Sequence, residues 1–277
     1  MQIRTNSQYY AQGHLDYALQ RLGPHHKDIA KEILKIDTVC GRLINAAERE
    51  GRQILILSEY VVHAVDAPIH INRLLREAGL LSVRNEDGGE ILDYATSRAF
   101  AVSDHQIAHI YIKNTSDIPL VRDLLSTIDD IDHILGDEGK EDFGLDHSRS
   151  GTLIALSKPN AWFTYYYWLK DDNAPDFART VDIHKKPGYD PVELFLDPTL
   201  FSPKLSVIWR LLKKKLGLRT LMDVIPLDAN LIKGSHGRVL KEGPQPILIS
   251  SEINLLPDHP MHVTEIKDLI LAHLFSH

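Results

Sequence analysis

The chain has 277 residues and a formal net charge of −7 at pH 7, with 43% hydrophobic and 25% charged residues. This composition is ordinary for a soluble globular protein and supports one large core or two smaller ones. The acidic balance excludes a general nucleic-acid binder, because neutralising phosphates requires a basic surface. No apolar run approaches the roughly 18 residues that span a bilayer. The net charge and the lack of a long apolar run together predict that neither nucleic acid nor a membrane is a partner. The single cysteine cannot form an intramolecular disulfide, which fits a reducing compartment, so we expect a cytoplasmic protein.

The first third of the chain has the pattern of an α/β fold. Apolar residues recur at spacings of three and four, which predicts a helix over 24–51. The apolar run 53–57 predicts a strand of the buried, parallel kind, and the polar residues 58–60 end it. A second helix is predicted over 71–78. Helix, buried strand, polar loop and helix is the order found in a doubly wound sheet.

The middle of the chain has a different character. Paired strands are predicted over 98–102 and 108–113, with an amphipathic helix over 117–128 covering them. The aromatic run 162–168 is typical of a core and sheet surface rather than of a ligand-stacking platform. The segment 174–203 is rich in Pro and Asp and is expected to be a long ordered excursion.

The last part returns to the α/β pattern, with a helix over 207–216, a buried strand over 246–250 and a helix over 263–274. The basic residues of 210–215 are typical of a solvated helix face rather than of a phosphate or lipid site. These changes of pattern predict three parts, an α/β core start, an α+β insert and a return to the core: 1–92, 93–205 and 206–277.

Two places before and after the first helix carry candidate metal ligands. Asp16 and Gln20 are four residues apart, and a helix extending back to Asp16 would place them on one face. Asp16 is then either a metal ligand or a helix cap, and the nearby His14 either a ligand or an exposed residue. Glu59 and Tyr60 directly follow the predicted strand, where a carboxylate suits metal binding or general-base work, while Tyr60 also suits packing.

Two further candidates contain histidine. In Gly234-Ser235-His236-Gly237 the flanking glycines let the backbone approach a ligand closely and direct the His236 imidazole at it. A turn histidine without a role is the alternative. Asp104 and His105 are secondary candidates, because they fall in the predicted insert. The chain has no P-loop, dinucleotide fingerprint, paired CxxC or HExxH motif. Residue patterns alone therefore predict an α/β protein with a carboxylate and histidine site.

The order of these features resembles one branch of the alkaline phosphatase superfamily. Asp16-x-x-x-Gln20-x-x-Gly23-Pro24, the strand ending in Ser58-Glu59-Tyr60, and Gly234 to Gly237 are arranged as in nucleotide pyrophosphatase/phosphodiesterases and phosphonoacetate hydrolases. Arg149-x-Gly151 resembles the insert of these hydrolases. The resemblance implies an alkaline-phosphatase-like mixed or parallel sheet flanked by helices, with a smaller α+β insert.

The resemblance also implies a ligand set. Asp16 and His236 match metal-ligand positions, whereas Gln20 and Tyr60 stand where the family has histidine and Glu59 where it has aspartate. One or two divalent ions are implied. They would be zinc or, because the substituted set is richer in oxygen, manganese or magnesium.

In the family, the nucleophilic Thr or Ser lies on a more N-terminal strand, so the nucleophile is expected upstream of this chain. A homodimer contact or a partner chain would then supply the missing strand. The resemblance implies a metal-dependent hydrolase of phosphodiesters or nucleotide pyrophosphates, acting on a phosphorylated small molecule. The alternative is a catalytically degenerate member that serves as a binding or scaffold protein, and a phosphomutase of the same superfamily also remains open.

Overall fold

The computed structural model describes residues 13–182, 184–239 and 243–275. The helices are α1 His14–Leu22, α2 Ile29–Arg49, α3 Ile71–Glu77, α4 Ile118–Ser126, α5 Asp137–Asp142, α6 Pro203–Lys215 and α7 Ile266–Phe275. The strands are β1 Leu55–Leu57, β2 His63–Ala64, β3 Ala67–Ile69, β4 Val83–Glu86, β5 Gly89–Leu92, β6 Ala99–Asp104, β7 Ile107–Ile112, β8 Ile131–Leu135, β9 Leu153–Ser157, β10 Ala161–Phe163, β11 Gly234–Ser235 and β12 Leu248–Ser250.

Helices and strands mix throughout, so the α/β class is confirmed. The chain divides into two compact units. Unit 1 comprises residues 1–18, 26–61 and 240–277, and unit 2 comprises 19–25 and 62–239. The three-part division at 92 and 205 stays a prediction. No helix of the described residues is both long and apolar enough to cross a membrane.

Unit 2 contains a four-stranded sheet in the order β6-β7-β9-β8, and all its neighbours are antiparallel. Strand β6 alternates, with Ala99, Ala101 and Ser103 buried and the residues between them more exposed. This period of two is what one covered face requires. Helix α3 contacts β6 and helix α4 contacts β8. The paired strands and the covering helix predicted for this region are confirmed.

The aromatic run forms the centre of unit 2. The run contains two tryptophans, one phenylalanine and three tyrosines. Every residue of 162–168 is at most 1% exposed. Strand β10, at the start of the run, pairs in parallel with β3. The rings of Tyr165 and Trp168 meet edge to face, with centroids 5.5 Å apart. The prediction that this run is core is therefore confirmed.

Buried ion pairs stabilise the irregular segment 174–203, which we call the excursion. The Lys186 side chain is completely buried, and its Nζ lies 2.7 Å from Asp190 Oδ2 and 2.5 Å from Glu193 Oε1. The same Nζ lies 5.7 Å from the centre of the Tyr165 ring. Burial is the main cause that raises the pKa of Asp190, and Lys186 opposes it. An ion-pair network of this kind explains why the described part of 174–203 can be ordered with little regular structure.

Unit 1 corrects the strand interpretation of the sequence. The strand predicted over 53–57 is short, pairs antiparallel with β12 and is only half-buried, with Leu57 40% exposed. The strand predicted over 246–250 is likewise half-exposed. An apolar run of this length does not distinguish a central strand from one in a two-stranded ribbon. Among the described residues of unit 1, the buried hydrophobic side chains are Ile29 and Leu269.

The helix predicted over 24–51 is also corrected. Helix α2 begins at Ile29, and a separate helix, α1, precedes it. Gly23, with φ of 80°, ends α1 because a left-handed residue terminates helical hydrogen bonding. The first residues, 1–13, are polar and lack a helical pattern, which predicts coil, and residues 1–12 lie outside the described part of the chain.

Candidate functional site

A tight turn between β6 and β7 carries His105, whose backbone is in the left-handed region. With φ of 56°, His105 is the one non-glycine residue with positive φ in the described part of the chain. This conformation costs a non-glycine residue about 1–2 kcal/mol. The turn is fixed from outside, because Phe163 donates its N–H to His105 O at 2.7 Å and Gln106 donates its N–H to His236 O at 2.9 Å. Such strain persists where the surroundings determine the backbone.

The buried imidazole of His105 lies at the centre of a cluster of side chains. Its ring centroid is 3.8 Å from that of His236 and 4.6 Å from that of Tyr189. Its Nδ1 lies 3.1 Å from the hydroxyl Oγ of Ser235, which is also buried. We call these four residues, together with Gln20, the His105 cluster. All five belong to unit 2.

Two glycines let the backbones that carry His236 and Tyr189 come close. A Cβ on Gly234 would lie 2.3 Å from Leu19 O and 2.8 Å from Val62 Cγ1. A Cβ on Gly188 would lie 2.2 Å from Ser103 O, and the φ of Gly188 is 120°. Only glycine tolerates such approaches.

Hydrogen bonds complete the cluster. Tyr189 donates its N–H to Ser103 O at 2.9 Å, and its hydroxyl lies 3.5 Å from Oε1 of the buried Gln20. Gln20 O in turn accepts the N–H of Lys233 at 2.9 Å, just before β11. Within unit 2, the cluster therefore joins the last turn of α1, the β6–β7 turn, the excursion and β11.

Burial determines the charge of the central imidazole. Desolvation, with a smaller contribution from His236, lowers the pKa of His105 to about 3. His105 is consequently neutral at physiological pH. His63, which faces Ser235 across the β2–β11 pair, has its pKa lowered by burial and then by the charge of Arg238.

The cluster has a buried base and an accessible rim. His105, Gln20 and Ser235 are buried, whereas the rings of His236 and Tyr189 are only half-buried. The Ser235 hydroxyl lies within hydrogen-bond distance of an imidazole, as a nucleophile does. However, Ser235 is 0% exposed, so the contact positions His105 instead of presenting a nucleophile to substrate. The side chains of the cluster that are partly exposed to a ligand are those of His236 and Tyr189.

Comparison with known protein families decides what kind of chain this is. The model of the type I phosphodiesterase/nucleotide pyrophosphatase family matches residues 9–190, which is 182 of the 277 residues. The chain belongs to this family. The matched segment contains Gln20, His105 and Tyr189, while Ser235 and His236 lie beyond it. No protein of established function matches the chain in sequence.

Several solved structures are similar to the chain. Murine ectonucleotide pyrophosphatase/phosphodiesterase 5 is 13% identical over 58% of this chain and 39% of its own, with a TM-score of 0.38. Phosphonoacetate hydrolase from Sinorhizobium meliloti, in complex with phosphonoacetate, is 17% identical over 58% and 38%, with a TM-score of 0.39. The human counterpart of the murine protein is 16% identical over 54% and 37%, with a TM-score of 0.38. The chain thus spans well under half the length of each.

The five metal ligands that the family resemblance implies belong to two different units of the chain. Gln20 and His236 belong to unit 2, whereas Asp16, Glu59 and Tyr60 belong to unit 1. Asp16 lies in the first turn of α1, two residues after its start, so it is not the helix cap. Glu59 is exposed, and Tyr60 is 36% exposed.

Two secondary candidates, His14 and Asp104, lie outside the His105 cluster. His14 Nε2 lies 2.5 Å from Glu32 Oε2, which joins α1 to α2 within unit 1. Asp104 is exposed at the end of β6 and does not belong to the His105 cluster.

The resemblance to this family implies a metal centre, which needs a set of closely spaced donor atoms. Among the described residues, no three His, Cys, Asp or Glu side chains gather where they could hold a metal ion. The His105 cluster offers two imidazoles and neutral oxygens, without a carboxylate to balance a divalent ion. The described residues do not fit the two-metal centre that the resemblance implies, so we assign no step to a metal. The metal roles of Asp16, Gln20, Glu59, Tyr60 and His236 stay predictions.

Sequence reasoning gave His105 a secondary place and missed Tyr189 and Ser235. The feature of the sequence that bears on Tyr189 is Gly188 before it, because only glycine allows the close approach to Ser103 O that the structure shows. The partner of that approach, Ser103, is 85 residues earlier, and no local pattern connects the two.

Proposed function

We propose that this chain carries a phosphate-contacting part of a site that hydrolyses phosphodiesters or nucleotide pyrophosphates. The observation that carries the proposal is the family match over residues 9–190. His236 is assigned to the site on other grounds, namely its Gly-x-His-Gly setting and its contact with His105.

The proposed role of the His105 cluster is to stabilise negative charge on the phosphoryl group of the substrate. In phosphoryl transfer, negative charge is spread over the equatorial oxygens of the phosphorus, and fixed hydrogen-bond donors stabilise it. His236 supplies such a donor from a half-buried ring. The Tyr189 hydroxyl, which contacts Gln20 Oε1 at 3.5 Å, supplies a second donor when it turns from that amide to the phosphate. His105 acts as a positioning residue, because its neutral, buried imidazole packs against both rings.

Turnover of a chromogenic phosphodiester tests this proposal. The purified chain is incubated with bis(p-nitrophenyl) phosphate after chelation and then with added zinc, manganese or magnesium, which tests the metal requirement that the family resemblance implies. Because the nucleophile is expected upstream of this chain, we expect only slow release of p-nitrophenol, and this rate should fall at least about tenfold in His236→Ala. His133→Ala is the matched control, since that side chain is 54% exposed on β8. Equal rates above the protein-free background in the two variants would refute the role of His236.

A second candidate function is ligand binding without hydrolysis. It is favoured by the burial of Ser235, because the one hydroxyl of the His105 cluster that contacts an imidazole is 0% exposed and cannot attack a substrate. Under this alternative, phosphodiesters bind to the folded chain and are recovered unchanged under every metal condition.

A further inference from the structure

Helix α6 exposes apolar side chains along one stripe. Leu205, Ile208, Trp209 and Leu212 are 63%, 51%, 57% and 47% exposed. At 3.6 residues per turn, these positions fall within an arc of about 100°. We call them the α6 stripe. Beyond the end of the helix, Leu216 and Leu218 extend the exposed apolar surface, with 75% and 56% exposure.

The opposite face of α6 holds the helix to unit 2. Arg210 donates from Nε to Asp223 Oδ1 at 2.5 Å and from Nη2 to Asp223 O at 3.1 Å. Val207 packs against the core, yet no residue of the helix is fully buried. A surface helix normally turns its apolar stripe toward the core. In α6 the larger apolar stripe faces outward while Val207 packs inward, and an exposed apolar surface of this kind marks an interaction site.

The charges around the α6 stripe indicate what covers it. The segment 203–219 contains six basic residues and no acidic residue, although the whole chain carries −7. By helical geometry, Lys204 and Lys215 lie on one side of the stripe and Lys213 on the other. Lys213 Nζ is 5.4 Å from the centre of the Trp209 ring. Lysines beside a stripe of tryptophan and leucine are typical of a helix that lies in an anionic membrane interface.

We propose that α6 binds the surface of anionic lipid membranes, with the α6 stripe in the headgroup region and the flanking lysines on lipid phosphates. The basic run alone favoured a solvated face, but the outward direction of the apolar residues supplies the second half of a membrane-binding helix. The lysine stems can lie along the apolar surface while their ammonium groups reach the headgroups. This proposal is independent of the hydrolytic function.

Tryptophan fluorescence with lipid vesicles tests the proposal. Trp162 and Trp168 are 1% and 0% exposed, whereas Trp209 is 57% exposed, so a change on binding reports Trp209. The full chain is titrated with vesicles of phosphatidylcholine containing 30% phosphatidylserine, chosen as an experimental condition of roughly physiological anionic charge. We expect a blue shift and co-sedimentation, both weakened by salt, and little binding to pure phosphatidylcholine.

Three variants sharpen the test. Leu212→Ser should weaken binding, and Leu34→Ser, which alters a leucine 65% exposed on α2, should not. The triple variant K204E/K213E/K215E should weaken binding by at least about tenfold. K158E/K170E/K185E changes the net charge equally on other surface lysines of unit 2 and should bind as the wild type does. Equal binding to neutral vesicles, no binding at all, or a lipid-free blue shift with concentration-dependent dimerisation would overturn the proposal.

Discussion

The imidazole of His105 packs against the imidazole of His236, with ring centroids 3.8 Å apart and planes inclined by 36°. The first ring is buried and the second is reached by solvent. This contact joins a strained hairpin turn to the β11 segment. Because His105 remains uncharged, it can support His236 without competing with it for anions.

The pH dependence of stability should report the burial of His105. The pKa of His105 is about 3 in the folded state and about 6.5 in the unfolded state. Between these two pH values, His105 is therefore protonated in the unfolded state and neutral in the folded state. The free energy of unfolding is therefore highest above pH 6.5 and falls as the pH drops toward 3. At pH 5 the loss from His105 is about 2 kcal/mol. His70, whose pKa is lowered to about 4 mainly by burial, adds to the same trend.

Urea unfolding followed by tryptophan fluorescence at pH 7 and pH 5 measures this effect. His105→Asn is the informative variant, because asparagine tolerates positive φ and does not titrate. It should reduce the pH-dependent loss by roughly 2 kcal/mol, whereas His133→Asn should leave it unchanged. An unaltered pH dependence in His105→Asn would mean that His105 is not buried as described.

Gly234→Ala should damage the site by forcing β11 away from α1. The added Cβ would lie 2.3 Å from Leu19 O, and because this oxygen belongs to the backbone, it cannot move away without shifting the chain. We expect a destabilisation of about 1–3 kcal/mol. Gly41→Ala in α2 is the control, since nothing lies within 4 Å of its Cβ, and it should stabilise by about 0.5–1 kcal/mol. Equal melting temperatures for the two variants would contradict the close approach.

Lys186→Met should be far more harmful than Lys185→Met. Removing the Lys186 ammonium leaves the carboxyls of Asp190 and Glu193 buried without their counter-charge, which costs about 3–5 kcal/mol. Lys185 is 61% exposed and pairs with Asp182, so its loss should cost less than about 1 kcal/mol. Denaturant midpoints decide between the two, and a mild Lys186→Met phenotype would show that the excursion does not depend on this network.

Amide hydrogens should exchange faster in the β1–β12 ribbon of unit 1 than in the central strands of unit 2. The amides of β1 and β12 lie in a two-stranded ribbon with half-exposed residues, whereas β7 and β9 lie inside a four-stranded sheet over the aromatic core. Two-stranded ribbons are marginal in water. We expect ribbon amides to exchange at least about a hundredfold faster than those of β7 and β9. Equal protection would indicate that the ribbon is stabilised by more than its described contacts.

Local patterns predicted the central part of the fold well. The β6–β7 hairpin, α4 and the aromatic core follow from period-two alternation, helical spacing and a dense aromatic run, all of which are local signals. The environment of 53–57 was not predictable in this way. Its partner, β12, is nearly two hundred residues later, and an apolar run does not reveal whether one strand or two will flank it.

The candidate site was predictable only in part. Glycines on both sides of His236 indicated a close approach, and Gly234 shows one. The pairing of His236 with His105 depends on contacts across 131 residues of sequence, so spacing did not reveal it. Asp16 and Gln20, one helical turn apart in α1, were a local inference and do lie in one helix.

Phosphate binding measured by NMR tests the central claim most directly, because it does not depend on turnover. The chain, labelled with ¹⁵N at histidine, is titrated with dimethyl phosphate, and the same titration is run on His236→Ala and Tyr189→Phe. We expect saturable shifts of the His236 imidazole signals in the wild type, weaker binding in Tyr189→Phe and no binding in His236→Ala. An unshifted His236 signal, or equal affinities in all three proteins, would contradict this claim.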